Sequence, residues 1–141
     1  MIIADTGFWV SLFNESDKFH HLAIQCYEKV VAKDESLITT CAVMTETCHL
    51  LMKRAGVSVQ QKFITSFHKG AFIVFELKIE QGERLQLLMQ KYQDLPMDLA
   101  DASLVILAEH LGHGRILSTD QRDFGVYRWK QTYPFVNLMF P

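Results

Sequence analysis

The chain has 141 residues, 49% of them hydrophobic, with 14 Lys and Arg against 16 Asp and Glu for a formal net charge of −2. That length fits a single domain over residues 1–141, and that hydrophobic content supports a packed core and excludes a disordered chain. The charge leaves no footprint for nucleic acid, which excludes binding by charge alone but not an enzyme whose metal supplies the positive charge.

In chain order, Met1–Ala4 reads as a short buried strand, followed by a turn of helix over Thr6–Phe13 with Phe8, Trp9, Leu12 and Phe13 apolar. Asn14–Asp17 is a polar break, and a helical stripe runs from Lys18 to Val31. Ser36–Thr39 is a second strand. A helix then runs from Thr40 or Cys41 to Ala55, with Gly56 as its terminator. Ser58 is placed to cap a helix over Val59–Lys69 that ends at Gly70. β-Branched and aromatic residues make Ala71–Leu77 a strand. Ile79–Tyr92 has helical spacing, Pro96 punctuates the chain, and Met97–Leu111 is a helix closed by Gly112 and Gly114. Arg115–Thr119 is a strand, Gln121–Lys130 a loop or short helix, and Phe135–Met139 a last strand. Strands alternating with helices predict an α/β fold, a parallel sheet with helices on both faces.

Cys26, Cys41 and Cys48 are odd in number and form no Cys-x-x-Cys, so they give neither a disulfide framework nor a zinc spacing. A reducing, cytoplasmic setting is expected. The N-terminus lacks a basic region followed by a long apolar stretch, so no signal peptide is expected. No apolar run approaches the roughly 18 residues of a membrane span.

The chemistry lies in the acids. Asp5 ends the apolar run Met1–Ala4, Glu46 follows the second strand, Asp101 opens a helix-like run, and Asp120 ends Ile116–Thr119. Open parallel sheets bind ligands just beyond the carboxyl ends of their strands. Carboxylates crowded there repel, so one protonates or a cation sits among them, and oxygen-only ligands suit Mg²⁺ or Mn²⁺. A divalent metal on such a site points to phosphodiester hydrolysis. Each acid also has a plain structural reading. Asp5 and Asp120 suit the capping of the turns that follow them, Glu46 suits an exposed helix face, and Asp98 suits an N-cap with Asp101 in the first turn. Asp123 is placed to pair with Arg122 or Arg128.

The order strand Asp, helix Glu, helix Asp, strand Asp resembles the PIN-domain nucleases, in particular the VapC-like toxins of toxin–antitoxin pairs. The resemblance rests on Ile2-Ile3-Ala4-Asp5-Thr6, Thr45-Glu46, Leu99-Ala100-Asp101-Ala102-Ser103-Leu104 and Ile116-Leu117-Ser118-Thr119-Asp120-Gln121-Arg122-Asp123-Phe124. It implies a Rossmann-like α/β/α sandwich and an Mg²⁺- or Mn²⁺-dependent ribonuclease. Asp5, Glu46 and Asp101 match the acidic triad and Asp120 the fourth acid. Thr6 and Ser118 match the supporting hydroxyl residues. Asp98 and Asp123 are extra acids of second rank. Gly7 stands where many relatives carry a hydroxyl residue. The same resemblance implies an RNA substrate, a cognate antitoxin protein and a homodimer.

Other readings stay open at this point: a housekeeping RNA-processing nuclease of the same family, or a silent PIN fold that only binds protein. A haloacid-dehalogenase-type phosphatase needs Asp-x-Asp at the first strand, but position 7 is Gly. A receiver domain fails on its middle strand, since Ala71–Leu77 is followed by Lys78 and Ile79. His20-His21, Cys48-His49 and Phe8-Trp9 are read as packing or surface residues. Arg122, Arg128 and Lys130 are read as a modest basic cluster beside Asp120, solvated by default.

Overall fold

The computed structural model describes residues 1–141. Its elements are β1 (Ile2–Ala4), α1 (Thr6–Phe13), α2 (His20–Ala32), β2 (Leu37–Thr40), α3 (Cys41–Ala55), α4 (Val57–His68), β3 (Ile73–Phe75), a 3₁₀ turn (Ile79–Gln81), α5 (Gly82–Lys91), α6 (Leu99–Leu111), β4 (Arg115–Leu117), α7 (Gln121–Val126), β5 (Arg128–Trp129), β6 (Tyr133–Pro134) and β7 (Val136–Asn137).

Five strands form one sheet in the order β3-β2-β1-β4-β7. Every pairing in it is parallel, with Ile3 opposite Ile38 on one side and Ile116 on the other. The central strands β1 and β2 are buried throughout, which is why they read as apolar runs rather than alternating patterns. The chain moves outward from β1 to β2 to β3, then crosses back to lay β4 on the free side of β1. That reversal opens a crevice at the carboxyl ends of β1 and β4. With right-handed crossovers it also puts α5 and α6 on the face opposite α1–α4, completing the α/β/α arrangement.

Helix α6 is the central helix. Eight of its 13 residues are buried, among them Leu104, Val105, Ile106 and Leu107 in succession. It packs on β1 and β2 and is covered by α3, α5 and β5, so it is apolar all round and lacks a polar stripe. No helix is long and apolar enough to cross a membrane.

Several element ends shift by one or two residues, Ala71–Leu77 shortening to Ile73–Phe75, Arg115–Thr119 to Arg115–Leu117 and the helix from Met97 starting at Leu99, and four further departures have a local cause. Gly56, at φ 102°, ends α3 and directly precedes α4, so that helix starts at Val57 and Ser58 caps nothing. The segment from Ile79 begins as a 3₁₀ turn, where the Gln81 side chain accepts the Lys78 N–H at 2.8 Å. Gln121–Lys130 is the short helix α7 followed by β5, which forms a two-stranded antiparallel ribbon with β6. The last strand shrinks to Val136–Asn137, because Asn137 turns its side chain onto both backbone groups of Ser118 instead of extending the ladder.

Candidate active site

Parallel strands all point one way, so Asp5 after β1, the start of α3 after β2, and Ser118–Asp120 after β4 share one edge of the sheet. Helix α6 runs back toward β4, so its first turn, with Asp98 and Asp101, begins at that same edge. Three of the four helices that leave this edge, α1, α6 and α7, are capped by the acids themselves, and α3 is capped by Thr40. Asp5 Oδ1 accepts the Thr6 N–H at 2.7 Å, Asp98 Oδ1 the Asp101 N–H at 2.8 Å, and Asp120 Oδ1 the Asp123 N–H at 2.9 Å. The capping role and a role in the cleft therefore coexist, since a capping carboxylate spends only one oxygen on the helix.

The second oxygen of Asp5 and one oxygen of Asp101 are held as well. The Ser118 hydroxyl donates to Asp5 Oδ2 at 2.7 Å, and its oxygen accepts the Asp120 N–H at 3.0 Å. The Tyr127 hydroxyl donates to Asp101 Oδ2 at 2.8 Å. Tyr127 is itself fully buried, its ring edge-on to Tyr92 and Phe124. Glu46 sits on the second turn of α3, where it lines a cleft of about 430 Å³ with Thr45, His49, Asp98 and Leu99.

The electrostatics show that the acids face one another. Burial pushes the Asp5 carboxyl up to about 7, against the Ser118 and Thr6 hydrogen bonds, and Glu46 and Asp120 add to the rise. Burial likewise pushes Asp101 up to about 8, against its Tyr127 bond, with Asp5, Asp98 and Asp120 contributing. Glu46 is raised by burial and then by Asp98, and Asp120 by burial and then by Asp123. Only Asp123 has a cationic partner, Arg122 at 2.9 Å; Asp5, Glu46, Asp98, Asp101 and Asp120 form no ion pair with any Lys or Arg.

Such an oxygen-only, uncompensated set fits a hard divalent cation. No three side chains converge as a ready-made cage. Mg²⁺ needs no such cage, since it keeps several waters and takes one or two carboxylates directly. The Thr6 hydroxyl is buried beside Glu46 and favours its charged form. A separate cavity of about 190 Å³ lies at the opposite end of the strands, between Ile2, Val30, Lys33 and Arg115, and contains none of these acids.

Residues 2–130 match the family described as PIN domain. The chain belongs to the PIN-domain family. Across 127 residues this PIN domain is 25% identical to Ribonuclease VapC26 of Mycobacterium tuberculosis, covering 90% of the chain and 92% of that protein. It matches the crystal structure of Mycobacterium tuberculosis VapC20, described as a sarcin-ricin loop cleaving toxin, with a TM-score of 0.75 at 20% identity. That match covers 86% of this chain and 92% of the other. At that identity the likeness is one of fold.

Two residues at this edge escaped the sequence reading. Tyr127 is brought to Asp101 only by tertiary packing, and Asn137 reaches Ser118 from the far end of the chain. His49, read from the sequence as a packing or surface residue, lines the cleft, three residues after Glu46 on the same helical face. The basic residues read beside Asp120 are engaged in local contacts. Arg122 is taken by Asp123, Arg128 caps the carbonyls of Gly125, Val126 and Tyr127, and the Lys130 N–H bonds Glu109 near the other end of α6.

Proposed function

We propose that this PIN domain is a metal-dependent endoribonuclease that hydrolyses RNA phosphodiester bonds as the toxin of a toxin–antitoxin pair. The observation that carries the reading is the set of five carboxyl groups gathered at the carboxyl edge of the sheet without a Lys or Arg partner. The similarity to Ribonuclease VapC26 and to VapC20, a sarcin-ricin loop cleaving toxin, supports RNA as the substrate.

We assign Asp5, Glu46, Asp101 and Asp120 to hold Mg²⁺ or Mn²⁺, with Asp98 and Asp123 in supporting places. When bound, such a cation offsets the charge of the acids, takes a phosphate oxygen and lowers the pKa of a water. The rest of the site belongs to the chain. Ser118 fixes Asp5 and the Asp120 amide together, and Tyr127 fixes the second oxygen of Asp101. The Thr6 hydroxyl lies beside Glu46 and favours its charged form. The N-termini of α1, α6 and α7 converge here, so their dipoles favour an incoming anion once the carboxylates are neutralised.

An antitoxin protein that covers the cleft and a homodimeric toxin complete the proposal. Cytoplasmic action accords with three free thiols. The test is cleavage of a mixed RNA pool with Mg²⁺ or Mn²⁺, with EDTA and the Asp5→Asn variant as controls. Metal-dependent cutting by the wild type, lost in Asp5→Asn, is expected. Folded wild-type protein that leaves every RNA class intact with each divalent ion would overturn the assignment.

A further inference from the structure

The ribbon formed by β5 and β6 carries a second feature, away from the acids. Trp129 and Tyr133 face each other across it, with ring centroids 4.7 Å apart and planes inclined by 30°. The inner ring is fixed. Trp129 Nε1 donates to the Pro134 carbonyl at 3.1 Å, and the indole lies against Gly114, where a Cβ would come within 2.6 Å of it. The outer ring, Tyr133, is 50% exposed. Lys130 and Gln131, both at positive φ, make the turn between the strands, and the Lys130 ammonium stands 5.9 Å from the Trp129 ring centre. Positive charge collects around the stack. The Arg128 backbone N–H donates to the Tyr92 hydroxyl, the Lys91 ammonium lies over the Tyr92 ring, and the Arg84 guanidinium pairs with Glu109, which also accepts the Lys130 backbone N–H. Of these cations only Arg84 is neutralised in an ion pair, which leaves the Lys91 and Lys130 ammonium groups without a carboxylate partner in a molecule whose net charge is −2.

We infer that the β5–β6 ribbon is a subsite for unpaired RNA, with a base stacking on the outer face of Tyr133 and Lys130 and Lys91 meeting the phosphates on either side. The inference rests on the ribonuclease reading and adds a place where the substrate is gripped away from the cut. An aromatic face beside lysines is the usual platform for single strands. Glu109, which anchors the ribbon, lies eight residues along α6 from Asp101, or roughly 12 Å at about 1.5 Å per residue. At about 3.4 Å per stacked nucleotide, that gap is roughly three or four nucleotides.

The test is binding of an unpaired RNA dodecamer, and of the matching duplex, to the full chain in EDTA, where no cutting occurs. Trp129 fluorescence is the reporter, since the other tryptophan, Trp9, is buried. Quenching by the single strand and not the duplex is expected. Tyr133→Ala should weaken binding about ten-fold, while Tyr133→Phe restores it. Mn²⁺ affinity measured by electron paramagnetic resonance should stay the same in both variants, which separates a lost contact from a lost fold. Equal single-strand affinity in wild type and Tyr133→Ala overturns the subsite and leaves the ribonuclease reading standing. Quenching without cleavage under any divalent ion overturns the ribonuclease reading and leaves the subsite. Loss of self-association in Tyr133→Ala with RNA affinity intact assigns the ribbon to protein contact and overturns the subsite.

Discussion

At the scale of single residues, Asp98 and Asp101 divide one helix end between two tasks. Asp98 spends an oxygen on the Asp101 N–H, so Asp98→Asn keeps a good cap, whereas Asp101 turns its carboxyl toward Asp5 and Asp120. Asp101→Asn should therefore abolish RNA cleavage while Asp98→Asn only weakens it; equal losses would remove that ranking. Tyr127 acts one step back. Its hydroxyl fixes Asp101 Oδ2, and without it the carboxylate loses its only side-chain partner. Tyr127→Phe keeps the ring packing against Tyr92 and Phe124 but should weaken Mn²⁺ binding about ten-fold, since a bond to a charged group contributes about 1.5–3 kcal/mol. Calorimetric titration of Mn²⁺ into Tyr127→Phe checks this, and an unchanged affinity would show the hydroxyl to be packing only.

At the scale of elements, what could be read in the sequence was whatever local chemistry encodes. The buried strands β1 and β2, the cap at Asp98 and the left-handed stop at Gly112 all follow from residues close together in the chain. The acids were legible because each stands just after a strand or in the first turns of a helix, and topology alone then carries them to one edge. Two-residue strands such as β5 and β6 leave no periodicity to read, and their pairing is fixed by tertiary contacts, Trp129 to Pro134 and Lys130 to Glu109. Gly114 makes the same point. It reads as a helix stop, yet Gly112 performs that task at φ 76°, while Gly114 makes room for the Trp129 indole and the Phe135 ring. The indole is rigid and already hydrogen-bonded, so it cannot swing aside cheaply. Gly114→Ala should cost about 1–3 kcal/mol by overpacking, read as a lower urea midpoint. Wild-type stability in that variant would mean that the ribbon shifts freely.

At the scale of the whole molecule, the acid edge makes stability depend on pH and metal together. Asp5 and Asp101 titrate near 7 and 8 in the folded protein against an ordinary 3.8. Between those values the folded state holds more protons than the unfolded one, so stability falls as pH rises and levels off above about 8. His113 works the other way: burial and Arg115 hold its pKa below 6.5, so it favours folding as pH rises through that region. Comparison with Asp5→Asn/Asp101→Asn cancels the His113 contribution, because that pair of changes leaves it in place. In EDTA, the wild-type melting temperature should drop between pH 5 and pH 8.5 relative to the double variant. A cation that binds only the folded, deprotonated acids reverses this by mass action. Millimolar Mn²⁺ should therefore raise the wild-type melting temperature more at pH 8.5 than at pH 5, and leave the double variant nearly unmoved. A Mn²⁺ effect of equal size at both pH values, or one that survives in the double variant, would place the ion elsewhere. The same acids that destabilise the metal-free fold near neutral pH are then what makes the metal-loaded one the stable form.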